Sequence, residues 1–272
     1  MKIGARPLVV MHWDEALRER IRRLAERDYI FHAVTDWDAL REAVRESPPS
    51  ALVVVDPYTG TSGKNGPSPA LRSLLGEFPS TPIFAALEVT PERYDDLRTL
   101  GKWGVVQVIS LVHDDSQAAL MRRFRMSHGG ALRALLEEIL PPDTPGRARA
   151  IVNAAAEVVA VGGHGRDLAK ALYLSRRTLL RWCERAELPP PRKLLAWMRI
   201  LLAAELLDDP GRTVLSVAHA CGYSSDSGLR RVTQKFLGTS PTTLRERGAF
   251  SRASKAFLNV LSKYRKENVV GI

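Results

Sequence analysis

Four inward-facing helical positions recur in this 272-residue chain at a spacing of 50. Leu179, Trp182, Cys183 and Ala186 fall at i, i+3, i+4 and i+7, and so do Leu229, Val232, Thr233 and Phe236. That spacing places each set on one face of a helix. A shorter apolar pair precedes each set, Leu168-Ala169 and Val217-Ala218, 49 residues apart, so the second turn is one residue longer. Gly222 can take the left-handed conformation that ends a helix. Ser175 in the first unit, and Ser224, Ser225 and Asp226 in the second, offer oxygens to cap the helix that follows. Gly238 and Pro241 stop the second unit. Short helix, tight turn and second helix with outward arginines is the geometry that enters a DNA major groove. The pattern predicts a duplicated helix-turn-helix.

The joint between the two units is predicted as a helix over 192–207, with Leu194, Leu195, Met198, Leu202 and Leu206 as apolar positions and Asp208-Asp209-Pro210-Gly211 as its stop. A helix over 147–161 precedes the first unit. Residues 249–266 read as an amphipathic helix on Phe257, Leu258, Leu261 and Tyr264, packed on the same domain. Charge divides the chain. Residues 1–125 hold 17 basic and 17 acidic side chains, whereas 126–272 hold 23 and 13 and so carry the whole net charge of +10. A neutral half joined to a basic half points to a polyanion met by the second half.

The first half alternates strand and helix patterns. Apolar runs at 8–11, 29–34, 51–55, 83–87 and 105–109 alternate with helical patterns at 14–27, 36–46, 69–78, 91–100 and 115–126. Strands apolar throughout imply a sheet covered on both faces, and five such repeats imply a doubly wound parallel sheet. The fold class is therefore α/β plus all-α. Gly60-Thr61-Ser62-Gly63-Lys64-Asn65 lacks the spacing of a phosphate-binding loop and reads as a surface loop. A helix over 130–140 and the stretch Pro141-Pro142-Asp143-Thr144-Pro145-Gly146 read as a connecting helix, serving as strut or dimer helix, and a linker. The expected domains are 1–126, a connection over 127–146, a DNA-binding domain over 147–247 and a basic extension over 248–272.

Five βα units with Asp56 ending the third strand resemble the response-regulator receiver domain over about residues 5–126. The resemblance implies a phosphoacceptor at Asp56, acidic neighbours at the end of the first strand to hold Mg²⁺, a hydroxyl ending the fourth strand and a lysine ending the fifth. Those places hold Met11 and His12, Glu88 and Leu111 here, with Asp14 displaced. Without carboxylates to anchor a hard cation, the expectation is a degenerate receiver that works without phosphorylation. A phosphorylation-dependent regulator using Asp56 is the alternative.

Residues 147–247 resemble the DNA-binding domain of the AraC/XylS transcription regulators. Ala218, Gly222, Tyr223, Ser225, Ser227, Arg231, Gly238, Ser240, Pro241 and Arg245 stand in the places of that family's signature, and Arg199 and Ala203 match its linker helix. Thr233 stands for the usual Phe, Gly228 for an aromatic or polar residue, Leu188 for a Gly, and Tyr173 for the Gly of the first turn. The resemblance implies base-facing roles for Arg177, Leu180 and Arg181, with Arg176 beside them. It implies the same for Asp226, Ser227, Arg230 and Arg231, with Gln234 one turn on. Arginine can clamp guanine, and Leu180 can touch a thymine methyl. Phosphate contacts are the competing role for each arginine. Asp226 serves as a cap or reads cytosine. Arg231 has buttressing of the fold as its alternative.

The resemblance implies double-stranded DNA as partner, a contact with RNA polymerase and a homodimer through the N-terminal domain, in the cytoplasm. No cofactor, metal or catalytic residue is expected. A DNA-repair alkyltransferase needs a reactive cysteine, whereas Cys183 and Cys221 fall on helix cores. A non-catalytic adaptor with vestigial DNA binding is the remaining class. No apolar run approaches the ~20 residues of a membrane span, and the N-terminus reads as a strand rather than a signal peptide.

Overall fold

The computed structural model describes residues 6–26, 28–61, 66–111, 116–127 and 130–269. Residues 62–65 of the Gly-rich loop lie outside the described residues. Five strands, β1 (Arg6–Met11), β2 (Tyr29–Ala33), β3 (Leu52–Val55), β4 (Ile83–Leu87) and β5 (Gln107–Ser110), form one parallel sheet in the order β2-β1-β3-β4-β5. Successive strand residues point to opposite faces, and the core divides accordingly. Leu8, Val10, Leu52, Val54, Phe84 and Ala86 pack on α1 (Glu15–Ala25) and α5 (Gln117–Met126) through Ile21 and Phe124. Val9, Met11, Val53, Val55, Ile83 and Ala85 pack on α2 (Trp37–Glu46), α3 (Pro69–Glu77) and α4 (Tyr94–Trp103) through Leu40, Leu71 and Leu100. This is the doubly wound sheet expected from the alternation.

Asp14 and Asp36 cap α1 and α2 by accepting backbone N–H groups of Ala16 and Leu17, and of Ala39. The fourth helix differs from its expected bounds. A 3-10 turn at Pro91–Arg93 precedes it, and it ends at Gly104, whose φ of 100° supplies the left-handed stop, with Gly101 inside the helix.

The remaining helices are α6 (Gly130–Ile139), α7 (Gly146–Ala160), α8 (Gly165–Ala171), α9 (Arg176–Arg185), α10 (Pro191–Leu207), α11 (Val214–Ala220), α12 (Asp226–Leu237), α13 (Pro241–Glu246) and α14 (Ala249–Val269). They share one core built around α10. Leu132, Leu136 and Leu140 put α6 in that core. The connecting helix is thus a packed element and not a free strut. The Pro-rich stretch after it is a turn inside the helical half, held by Arg149, which donates to the carbonyls of Pro141 (2.7 Å) and Thr144 (3.3 Å) and pairs with Glu137. On α14, Phe257 and Leu261 are buried, as their spacing predicts.

The two halves meet at the turn after α10. Asp209 and Arg212 form an ion pair at 3.2 Å with each side chain only 1% exposed. Asp209 also accepts from the backbone N–H and the hydroxyl of Ser80. Arg212 donates to the carbonyls of Arg45 and Ser47 at 3.0 and 2.9 Å, and its guanidinium lies 5.9 Å from the Phe78 ring centre. Gly211 donates to the Glu77 carbonyl (2.9 Å) and accepts from Arg45 (3.0 Å). A Cβ on Gly211 would sit 2.5 Å from Phe78 Cζ. Burial pushes Asp209 above the usual carboxylate range against its bonds to Ser80 and Arg212. A stretch read as a helix stop is therefore also the docking point of the N-terminal half.

Gly211→Ala is expected to loosen this seam while both cores stay folded. Hydrogen exchange should report it as at least about tenfold faster exchange at the Ser80 and Gly211 amides, with the β3 and α10 amides unchanged. Nearby, burial raises the Glu205 acid from 4.5 to about 8, helped by Asp209 and opposed by Arg212. Its folded-state contribution is complete below pH 4.5 and is lost as pH rises to about 8, because the unfolded chain releases that proton first. Glu205→Gln should flatten the fall in stability across that window, measured by urea denaturation at a series of pH values.

Candidate nucleic-acid interface

Each helix-turn-helix unit is fixed by local chemistry before any packing. In the first, the backbone N–H of His164 donates to Asp167 at 2.7 Å at the start of α8. In the second, Thr213 and Ser216 exchange reciprocal bonds of 3.0 Å at the start of α11. The turns repeat as well. Leu174 N–H donates to the Ala169 carbonyl at 2.8 Å, and Tyr223 N–H to the Ala218 carbonyl at 2.9 Å. Ser175 and Ser225 then cap α9 and α12. The left-handed residue precedes the cap by two positions in the first turn (Tyr173) and three in the second (Gly222). The extra residue read from the sequence is there.

The departures from the family pattern have physical consequences. Tyr173 has φ +55° where Gly222 has +81°, and its side chain is 98% exposed, so no contact offsets the strain. The first unit places its second left-handed residue at Glu187, φ +55°, not at Leu188. Helix α9 ends at Arg185, two residues short of the position equivalent to Leu237 at the end of α12, and Leu188 is buried. Thr233 is buried, and its hydroxyl donates to the Arg230 carbonyl at 3.0 Å, so the missing aromatic leaves no unsatisfied group. At Gly228 a Cβ would meet Tyr223 at ordinary van der Waals distance, so the packing of Tyr223 on α12 does not require the glycine.

The inward faces are as the periodicity predicts. Leu179, Cys183 and Ala186 are buried and Trp182 is half-buried under the Arg147 guanidinium. Leu229 and Thr233 are buried, and half-buried Phe236 meets Trp197 of α10 edge-on at 5.1 Å. The opposite faces carry the candidate DNA readers. Arg176, Arg177, Leu180 and Arg181 are exposed in two i, i+4 stripes on α9, and Ser227, Arg230, Arg231 and Gln234 are exposed on α12. Asp226 is half-exposed and lies 3.5 Å from Arg230 Nη2, so it partly neutralises that arginine. Exposure leaves Arg231 open to solvent instead of bracing the fold.

Two family arginines have structural places. Arg199 donates to the Gly163 carbonyl at 2.7 Å and meets His164 Nδ1 at 3.0 Å, fixing α10 to the start of the first unit. Arg245 donates to the carbonyls of Leu207 and Arg212, both at 2.9 Å, closing the end of α10. Tertiary structure adds residues that the spacing did not mark. Arg166 and Arg192 join Arg176, Arg199, His164 and Leu180 around a groove of about 710 Å³ beside α9. The only local signal was a basic residue in the first turn of each of three helices, where arginines are unusual partners for a helix N-terminus.

The N-terminal half presents a different corner. Asp56 is 6% exposed; it accepts from Tyr58 N–H at 2.9 Å and from the Thr59 hydroxyl. His12 is buried beside it, accepts from Asp14 N–H at 3.0 Å, and has its pKa lowered by that burial in spite of Asp56. The Asp14 carboxylate is engaged as the cap of α1. Among the described residues no three His, Cys, Asp or Glu side chains converge as a metal site. Burial pushes the thiols of Cys183 and Cys221 up to about 11 and about 12, the reverse of what a nucleophilic cysteine requires. No described helix is long and apolar enough to cross a membrane.

Comparison with known proteins places residues 168–247 in the helix-turn-helix domain family. That span covers the turns and second helices of both units, so the match is to a helix-turn-helix domain there. No curated protein matches the chain. Full-length FixJ from B. japonicum is similar over 85% of this chain and 96% of its own, at 16% identity and a TM-score of 0.39, too low to equate the folds.

Tyr173→Gly is expected to stabilise the helical half by about 0.5–1 kcal/mol, because it removes a left-handed side-chain clash larger than the entropy it adds. Gly222→Ala should destabilise by a similar amount, both read by chemical denaturation.

Proposed function

We propose that this protein is a sequence-specific regulator of transcription that sets α9 and α12 into successive major grooves, ~34 Å apart along the duplex. The observation that carries the reading is the pair of matched turns on one buried helix, each presenting an outward basic stripe. Arg177, Leu180 and Arg181 read bases from the first unit, and Ser227, Arg231 and Gln234 from the second. Arg176 and Arg230 sit at the edges of these stripes. Arg166 and Arg192 hold phosphates beside α9.

The receiver-like half, residues 1–126, is the input domain and acts without phosphorylation. The capping role of Asp14 and the burial of His12 support this, because neither leaves a carboxylate beside Asp56 for a cation. Its influence reaches DNA through the seam: Arg212 binds the end of α2, and the next residue, Thr213, caps α11. Pairing of two chains through the N-terminal half, contact with RNA polymerase and work in the cytoplasm complete the proposal.

Binding-site selection followed by gel shifts over a salt series tests it. Arg177→Ala, Arg181→Ala and Arg231→Ala are each expected to weaken the selected site by about 1–3 kcal/mol and relax its sequence preference. Arg166→Ala and Arg192→Ala should weaken all DNA alike and lower the salt slope by about one each. Failure to select any sequence, with the arginine variants unchanged, would overturn the reading.

A further inference from the structure

A second cleft, of about 580 Å³, opens where the two halves meet. Its walls are apolar and come from both sides: Pro79 from the N-terminal half, Leu135 and Ile139 from α6, and Phe250 from α14. Its floor is acidic, with Glu205, Asp208 and Asp209, and Glu138 stands at the exposed rim. The acids do not stand alike. Asp208 spends both oxygens on the start of α14, accepting from Ala249 N–H at 2.7 Å and Phe250 N–H at 2.9 Å. Asp209 spends its oxygens on Ser80 and Arg212.

Glu205 is different. It is only 7% exposed, sits on the most buried helix of the protein and lines this cleft, yet its carboxyl has no hydrogen bond or ion pair among the described residues. Its oxygens are not among the fully buried side-chain atoms that lack a partner, so the carboxyl reaches the cleft, where it can accept from a ligand. Exposed Ser251 and buried Ser254 of α14 also line the cleft, with hydroxyls able to accept further N–H groups.

We infer that this cleft binds a small organic cation, a primary ammonium on an apolar body, with the ammonium on Glu205 and the body between Ile139 and Phe250. One unspent carboxyl matches one positive charge. Since Asp208 and Asp209 are already bonded, the remaining set favours a monocation over a metal ion. The apolar walls select for a hydrocarbon or aromatic body, and the volume lies within the ~300–1,000 Å³ of small-molecule pockets. The groups facing Glu205 are Asp208, Asp209 and Arg212 from the turn after α10 and the Cys221 thiol at the end of α11. Arg212 is held by Asp209 and two carbonyls, so it does not compete for Glu205.

The test uses the full chain, without DNA, so that its failure and the failure of the DNA-binding proposal are separate results. Phenethylamine is titrated by calorimetry at about pH 8.5, where the amine is charged, against 2-phenylethanol as the uncharged isostere. The ammonium compound is expected to bind at least about tenfold more tightly than the alcohol, as a hydrogen bond to a charged group warrants. Glu205→Gln should abolish that preference while leaving the alcohol's binding unchanged. Equal affinity for both compounds, binding of neither, or a preference that survives in Glu205→Gln would each overturn the assignment. Urea denaturation of Glu205→Gln checks that the variant is folded.

Discussion

The burial of α10 is the constraint on which the helical half depends. From Leu194 to Leu207 only Ala196 and Arg199 escape full burial. A helix apolar nearly all round must be surrounded, and α7, α14, α13 and both helix-turn-helix units supply the surround. Each buried Leu, Ile or Met is worth about 1.5–3 kcal/mol, so α10 cannot slide or rotate without exposing several at once. The two recognition helices inherit a fixed separation from that. Arg199 at the middle of α10 and Arg245 at its C-terminal end add hydrogen bonds to the apolar packing.

At its C-terminal end the same helix passes from apolar to ionic contacts. The pair of Asp209 and Arg212 is a weak source of stability, because desolvation offsets most of its attraction. Its effect is positional. Arg212 can satisfy the carbonyls of Arg45 and Ser47 only when α2 lies in one place, and Gly211 leaves no room between that turn and Phe78. Arg212 is followed directly by Thr213, the cap of α11. The N-terminal half thus touches the helical half one residue before the second unit begins. Glu205, one turn inside α10, faces the cleft beside that contact.

Much of this was legible in the sequence because it is local. Apolar runs gave all five strands, and the two faces of the sheet follow from simple alternation. The outward stripes of α9 and α12 are the complement of Leu179-Cys183 and Leu229-Thr233. Caps at Ser175 and Ser225 are each satisfied within three residues of chain. Reading failed where two local solutions were nearly equivalent. Where Leu188 stands for a Gly, the first unit takes its left-handed residue one position earlier, at Glu187, and Leu188 is buried. Helix α4 could stop at Gly101 or Gly104, and the later glycine won.

The sequence alone thus determined the elements, their buried faces and the outward arginine stripes, since periodicity and capping act between residues a few positions apart. Only the tertiary structure brought Arg166 and Arg192 beside Arg176, drew α6 into the helical core and seated Gly211 on Phe78. The Ser80–Asp209 bond joins residues 129 positions apart. Such contacts follow from the fit of finished elements, and no local pattern carries a signal for them. The duplicated turn at Gly222 was visible from the start. That its supporting turn at Gly211 also receives the other half of the molecule was not.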